Sequence, residues 1–236
     1  MKKIGCLLRW VVGLFFGSTI LVVVLYKFLP VSITPLMVIR AVENIGSDEP
    51  VFWSHTWVSL DDMSKYMPVA VIASEDQRFL QHHGFDFEAI EKAAEYNKRH
   101  KTADGKQTKV RGASTITQQT AKNVFLWPGN SMVERWVRKG LESYFTILIE
   151  FIWGKERIME VYLNSIEMGP TIYGAEAVAN EHFNCTAAEL SRSNCALIAA
   201  TLPNPRKFSS KDPSAYMQKR RRAIEVQMRY VPLFEP

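Results

Sequence analysis

A run of seventeen residues without a charge, Trp10–Tyr26, constrains the fold of this chain more than any other feature. Arg9 and Lys27 flank the run, and Lys2 and Lys3 precede it. A helix that crosses a bilayer needs roughly 17–25 apolar residues, so the run is long enough for one transmembrane helix. The basic residues ahead of it place the N-terminus in the cytoplasm by the positive-inside rule.

The alternative interpretation of this run is a cleaved signal peptide. The run is long for such a peptide, and no A-x-A-like cleavage site follows it. The sequence therefore predicts a cytoplasmic tail over residues 1–9, a transmembrane anchor over residues 10–29 and one globular domain outside the cytoplasm over residues 30–236. A domain of that length can bury a proper core.

The net charge of +5 suggests nucleic-acid binding until its distribution is considered. Four of the 29 basic residues lie in residues 1–27, which contain no acid. The rest of the chain holds 25 basic and 24 acidic residues, a balance of +1. A domain so close to neutrality lacks the cationic surface that phosphate-backbone binding requires, so we expect no nucleic-acid partner.

Helical patterns fill nearly all of the domain, and no strand-like alternation of any length is present. Capping boxes are predicted at Thr115/Gln118, Ser131/Glu134 and Thr186/Glu189. The fold class is therefore all-α, with a basic loop at Lys98–Arg111. The predicted helices are Tyr66–Ser74, Phe85–Arg99, Thr115–Phe125, Ser131–Gly154, Lys155–Asn164, Ile172–Phe183, Thr186–Leu202 and one that begins at Asp212-Pro213.

The segment Arg111–Asn123 is almost entirely polar but contains only two charges. Seven of its thirteen side chains are hydroxyls or amides, and each would cost about 1–3 kcal/mol if it were buried without a partner. Such a segment is typical of a wet groove whose ligand carries hydroxyls and oxyanions, as a phosphorylated carbohydrate does. Gln118 and Lys122 are four residues apart, so we expect both to face one ligand.

Two further clusters carry candidate chemistry. Glu75-Asp76 end an apolar helix, where a partly desolvated carboxylate is a usable general base; the alternative is a solvated helix terminus. Arg138 and Glu142 share one helical face with Arg135, beside Lys139, and combine cations suited to a pyrophosphate with a second carboxylate. The alternative for this cluster is a ladder of surface ion pairs.

The three cysteines leave their redox state open. Cys185 and Cys195 are compatible either with a disulfide or with two small semi-buried side chains. No Cys/His pattern indicates zinc.

Taken together, these segments resemble the peptidoglycan glycosyltransferases of the lysozyme-like superfamily, which include the glycosyltransferase domains of class A penicillin-binding proteins. Several motifs in the correct order between Trp57 and Pro205 make the resemblance specific. No Ser-x-x-Lys nucleophile is present, so we expect the monofunctional form. The matching motifs are Glu75-Asp76-x-x-Phe79-x-x-His82-x-Gly84, Gly112-x-Ser114-Thr115-Ile116-Thr117-Gln118-Gln119-x-x-Lys122-Asn123, Arg138-Lys139-x-x-Glu142, Lys155–Asn164, Gly174-Ala-Glu-Ala and Ala196–Pro205.

The resemblance implies a lysozyme-like two-lobed helical domain and a reaction that polymerises lipid II. Glu75 would be the catalytic base and Glu142 a second catalytic glutamate near the donor pyrophosphate. The cations would stabilise the leaving undecaprenyl pyrophosphate, and an α-linkage would become β-1,4. The residues implied in binding substrate or pyrophosphate are Ser114, Thr115, Gln118, Gln119, Lys122, Arg135, Arg138, Lys139 and Asp76.

The family usually carries a further arginine, which here aligns with either Asn130 or Arg135; helical phase favours Arg135. The resemblance alone implies a divalent cation, Mg²⁺, because no ligand cluster in the sequence demands one. It also implies the bacterial inner membrane, with the catalytic domain in the periplasm, and other cell-wall synthesis proteins as partners. The competing functions are a lysozyme-like lytic enzyme and an inactive membrane-tethered scaffold.

Overall fold

The fold is described from a computed structural model over residues 2–47, 50–100, 111–129 and 131–234. Within these ranges the chain is mostly helical, as predicted. The α-helices are α1 Lys2–Phe28, α2 Pro35–Asn44, α3 Tyr66–Glu75, α4 Phe87–Arg99, α5 Ile116–Phe125, α6 Met132–Ile152, α7 Lys155–Ser165, α8 Ala175–Phe183, α9 Arg192–Thr201 and α10 Ala215–Gln227.

A small sheet, too short to show alternation in the sequence, joins the helices. Its strands are β1 Ser54–His55, β2 Glu167–Gly169 and β3 Ile172–Tyr173, and β3 lies in the middle, parallel to β1 and antiparallel to β2. The predicted helix from Ile172 is therefore wrong at its start. Ile172 and Tyr173 pair with both neighbouring strands, and α8 begins only after Gly174.

Two other predicted helix starts are also corrected. The capping box at Thr186 and Glu189 is present, but it closes a single 3₁₀ turn, Ala187–Glu189. Helix α9 begins separately, after Ser191 accepts a hydrogen bond from the backbone N–H of Asn194. The last helix begins after Ser214, two residues beyond Asp212-Pro213.

Helix α3 forms the centre of the core. Its residues Met67–Ala73 are all buried, which an apolar run without a polar face requires. Helix α9 packs against it with an equally buried face, Cys195–Thr201, in which alanines allow the two helices to approach closely. Glu75 is thus the last residue of a helix that the core holds rigidly.

Helix α1 is joined to the domain at its C-terminal end. Trp153 Nε1 donates to the carbonyl of Val23 at 2.7 Å, and Arg157 donates to the carbonyls of Tyr26 and Leu29. Tyr26 and Leu29 lie at or just beyond the end of the helix, where their carbonyls have no intrahelical donor. Residues Gly5–Phe28 are long and apolar enough to cross a membrane, and their side chains are mostly exposed.

The predicted basic loop falls mainly outside the described residues, which omit 101–110. Lys98 and Arg99 belong to the last turn of α4 rather than to a loop. Cys185 and Cys195 are both free thiols. Burial raises the pKa of the Cys195 thiol to about 12.

Candidate active site

Glu75 is positioned at the end of α3 by two hydrogen bonds. Ser74 Oγ donates to Glu75 Oε1 at 3.1 Å, and Gln119 Nε2 donates to Glu75 Oε2 at 3.2 Å. The residue is half-buried, so part of it remains accessible to solvent. This combination of a fixed orientation and partial exposure is what a general base needs.

A buried tyrosine fixes the orientation of Gln119. The hydroxyl of Tyr162 donates to Gln119 Oε1 at 3.0 Å, which leaves the amide NH₂ group to face Glu75. Burial raises the pKa of Tyr162 well above its ordinary value, and the charges of Glu75 and Asp76 raise it further. The phenol therefore keeps its proton and remains a donor in this chain of hydrogen bonds.

Asp76 connects two motifs and is not exposed to a ligand. Its carboxylate accepts hydrogen bonds from His82 Nε2 at 2.9 Å and from the backbone N–H of Ile116 at 3.0 Å. Ile116 is the first residue of α5, where the helix leaves N–H groups free and favours a negative charge. The structure thus places Asp76 in the scaffold that holds α5 against α3, apart from the groove implied for it.

The predicted capping box of α5 is confirmed, with a consequence for the groove. Thr115 and Gln118 are buried and hydrogen-bond to each other's backbone N–H, and Thr115 Oγ1 also donates to the carbonyl of Gly84. Gln118 was expected to face a ligand together with Lys122, but its side chain is folded back onto the cap and does not line the cavity that Lys122 lines. Gln119 takes that place, and Ser114 is exposed just before the helix.

A cavity of about 360 Å³ lies between α2, α5, α6 and the segments that follow α7 and α9. We call it the cationic cavity, because its charged lining residues are Arg40, Lys122, Arg138 and one carboxylate, Glu167. Gln119 lines the same cavity while it donates to Glu75. One side chain therefore spans the distance between the candidate base and the cations.

Lys122 carries the most perturbed cation of the cavity. Burial lowers the pKa of its ammonium, the charges of Arg138, Lys139 and Arg40 lower it further, and Glu142 opposes the shift. No hydrogen bond or ion pair to Lys122 is present within the described part of the chain. A cation in this state gains stabilisation from an incoming anion.

Glu142 is buried and engaged by two cations. Lys139 Nζ lies 2.5 Å from its Oε1, and Arg138 Nη1 lies 3.9 Å from its Oε2. Arg138 lines the cavity, whereas Lys139 is exposed beside it. The side chains predicted to cluster on α6 therefore do lie together, and the carboxylate of Glu142 is next to the arginine that lines the cavity.

Arg135 lies next to this cluster, as helical phase predicts. A Cβ atom on Gly129 would come within 3.0 Å of Arg135 Cγ and 3.2 Å of Arg138 Nε, so both arginines pack over this glycine. Arg135 is exposed, and the alternative position, Asn130, lies outside the described residues.

The half-buried carboxylate of Glu75 is thus linked through the amide of Gln119 to the cationic cavity. Residues 47–229 match the family described as Transglycosylase. The chain belongs to the transglycosylase family.

Similar transglycosylases span almost the same length. The chain is 58% identical, over all of its 236 residues and 91% of the relative, to a biosynthetic peptidoglycan transglycosylase of Bacteroides thetaiotaomicron. It is 52% identical to the protein of that description from Bdellovibrio bacteriovorus, over 92% of this chain and 83% of the relative. The corresponding Caulobacter vibrioides protein is 51% identical over 88% of this chain and 83% of its own length. The resemblance inferred from the motifs is confirmed.

Three residues of this transglycosylase site were not singled out from the sequence. Tyr162 has the spacing of a core residue, and Glu167 follows α7 in an unremarkable segment. Arg40 lies before the family match begins at residue 47. Only the fold brings these side chains to Gln119 and Lys122.

Proposed function

We propose that this transglycosylase polymerises lipid II with Glu75 as the base and the cationic cavity as the site of the leaving pyrophosphate. The single observation that carries the proposal is Gln119, which lines the cavity and donates to Glu75. Base and cations therefore stand at neighbouring positions along one groove, as they must for a sugar whose anomeric carbon lies between them.

The proposed reaction is one displacement with inversion. Glu75 takes the proton from the 4-hydroxyl of the acceptor N-acetylglucosamine in lipid II, and that oxygen attacks the anomeric carbon at the reducing end of the growing glycan. The bond from that carbon to the pyrophosphate oxygen breaks, and undecaprenyl pyrophosphate leaves with the electron pair. The α-linkage is replaced by a β-1,4 linkage.

The cations act on the charge that develops on the leaving group. Lys122 and Arg138 face the cavity from two helices that pack together, so they are held in place before the reaction. Preorganised charges of this kind stabilise a transition state without a cost of reorientation. We assign Glu142 a positioning role, because Lys139 and Arg138 engage its carboxylate and it is buried.

A synthetic enzyme and a lytic enzyme give opposite results with two substrates. Purified full-length protein is incubated with labelled lipid II and, separately, with finished sacculi. We expect polymer from lipid II and no soluble fragments from sacculi. Release of fragments without polymer would favour the lytic alternative, and neither product would favour the inactive scaffold.

The lowered pKa of Lys122 predicts an alkaline limit on activity. The ammonium loses its proton at a pH below the ordinary value of 10.5, so kcat/KM should fall as the pH rises through this lowered pKa. In Lys122→Arg the guanidinium keeps its charge up to about pH 12, so kcat/KM should stay constant to a higher pH than in the wild type. Measurement of kcat/KM for lipid II from about pH 7 to pH 11 checks this. Identical alkaline limbs in both proteins would exclude Lys122 as the titrating group.

Within the described ranges, no group of three or more His, Cys, Asp or Glu side chains converges to form a metal site. Mg²⁺ often binds through one or two carboxylates together with substrate phosphates, and we propose that any Mg²⁺ enters with lipid II. We expect calorimetry to show no Mg²⁺ binding to the protein alone and EDTA to slow polymerisation. A rate unaffected by EDTA would contradict the proposal.

Single-pass anchoring puts the groove near the lipid chains of both substrates. Tyr144 on α6 bonds Thr19 of α1 at 2.8 Å, and α6 exposes an apolar face beside it, with Trp136 72% and Phe151 89% exposed. We propose the inner membrane, with the N-terminus in the cytoplasm and the domain in the periplasm, from the basic residues before the anchor. A tethered enzyme meets membrane-bound substrates at high effective concentration.

A further inference from the structure

The cationic cavity includes a residue that the family match does not cover. Arg40 lies on α2, in the segment between the anchor and residue 47, where the match begins. It nevertheless lines the same cavity as Lys122 and Arg138. Helix α2 packs against α5, the helix that carries Lys122, and this packing brings Arg40 into the cavity.

Helix α2 is held in place at both ends. Thr34 caps its N-terminus by accepting a hydrogen bond from the N–H of Met37, and Pro35 occupies its first position. Met37 is fully buried, and Asn44 Nδ2 donates to the carbonyl of Pro50 at 2.7 Å. Arg40 is therefore presented by a fixed element.

Several buried N–H groups of the residues that line the cavity have no hydrogen-bond partner within the described chain. Arg40 Nη1 bonds Glu43 at 2.6 Å, but Arg40 Nε is buried with no partner in the described chain. Arg138 Nε and Asn123 Nδ2, which belong to the same cavity lining, are also buried without partners there. Buried donors in native proteins are nearly always satisfied. A ligand with several acceptor oxygens would satisfy all three at once.

We propose that Arg40 binds the pyrophosphate of the lipid-linked donor, so that the helix joining the anchor to the domain supplies part of the substrate site. This inference rests on the proposed function. Glu43 pairs with Arg40 and Glu142 with Arg138, but Lys122 has no partner in the described chain, so the cavity offers a free cation beside the open donors of both arginines, which suits this dianionic group. Arginine offers it a planar fork of donors that lysine lacks.

The test compares Arg40→Gln and Arg40→Lys with the wild-type full-length protein. Steady-state kinetics with lipid II are combined with inhibition by inorganic pyrophosphate. In Arg40→Gln we expect KM for lipid II and the half-inhibiting pyrophosphate concentration each to rise about tenfold, with kcat changed less. For Arg40→Lys, both values should fall between those of the wild type and those of Arg40→Gln. The matched control is Arg99→Gln, which removes an exposed arginine paired with Glu95 on α4 and should leave both values unchanged.

The outcomes separate this inference from the proposed function. Wild-type KM and wild-type pyrophosphate inhibition in Arg40→Gln would overturn it, and so would a loss of activity with unchanged inhibition. If the wild-type protein polymerises nothing, the proposed function fails, and calorimetric titration of pyrophosphate still decides the role of Arg40. Tighter binding to wild type than to Arg40→Gln supports the inference, whereas equal binding or none contradicts it.

Discussion

Glu75→Gln should fold normally and lose polymerisation of lipid II by about 1,000-fold or more, because a neutral amide cannot accept the proton of the acceptor hydroxyl. The substitution keeps the size of the side chain and an oxygen that can accept the hydrogen bond from Gln119. The groove should therefore keep its shape, and KM should change much less than kcat. Single-turnover polymerisation with labelled lipid II measures the loss.

The control for this experiment is Glu91→Gln, the same change at an exposed position on α4. It should retain the wild-type rate, and both variants should unfold at the wild-type temperature. Glu75→Asp is also informative, because it keeps the charge but withdraws the carboxylate from Gln119 by one methylene. Retention of the wild-type rate in Glu75→Gln would remove Glu75 as the base.

Gly174→Ala should destabilise the protein by about 3–5 kcal/mol through backbone strain and overpacking. Gly174 has a φ of +87°, and a Cβ atom there would lie 2.6 Å from the backbone oxygen of Asn164. Backbone atoms cannot move aside as a side chain can. The N–H of Gly174 also donates to the carbonyl of Ile166, which lines the cationic cavity, so displacement should disturb the site.

Gly154→Ala separates the two causes of that loss. Gly154 has nearly the same φ, +81°, but a Cβ atom there would meet nothing within 4 Å. It should therefore show only the cost of the strained backbone conformation, about 1–3 kcal/mol. Thermal unfolding of both full-length variants in detergent gives the comparison, with a fall of roughly 10 °C expected for Gly174→Ala. Equal losses in the two variants would show that the contact with Asn164 has no effect.

Local chemistry made much of the fold predictable. The capping boxes at Thr115 and Ser131 stand directly before amphipathic helices, and both helices begin where the boxes place them. At Thr186 the same pattern predicted a long helix, because sequence alone does not show that the box closes one turn and that Ser191 caps the helix. The strand Ile172–Tyr173 was missed because one of its partners, His55, is distant in sequence, and its pairing with the other strand, from Glu167, has a register shift.

The candidate site, like the fold, could be predicted from the sequence only in part. Lys122 and Arg138 were predicted from residue type and spacing, and the structure brings them into one cavity. The roles of Asp76 and Gln118 were not predictable, because a polar side chain that binds a ligand and one that caps a helix look alike in sequence. Arg40 reaches the cavity only through the packing of α2 on α5, which no local pattern encodes.

The central claim is that one groove couples deprotonation by Glu75 to departure of the pyrophosphate from the cationic cavity. The most direct measurement counts undecaprenyl pyrophosphate released and β-1,4 bonds formed when the full-length protein acts on labelled lipid II. The account predicts one carrier released for each bond, with both products absent in Glu75→Gln. Polymer formation without carrier release, or carrier release that continues in Glu75→Gln, would contradict it.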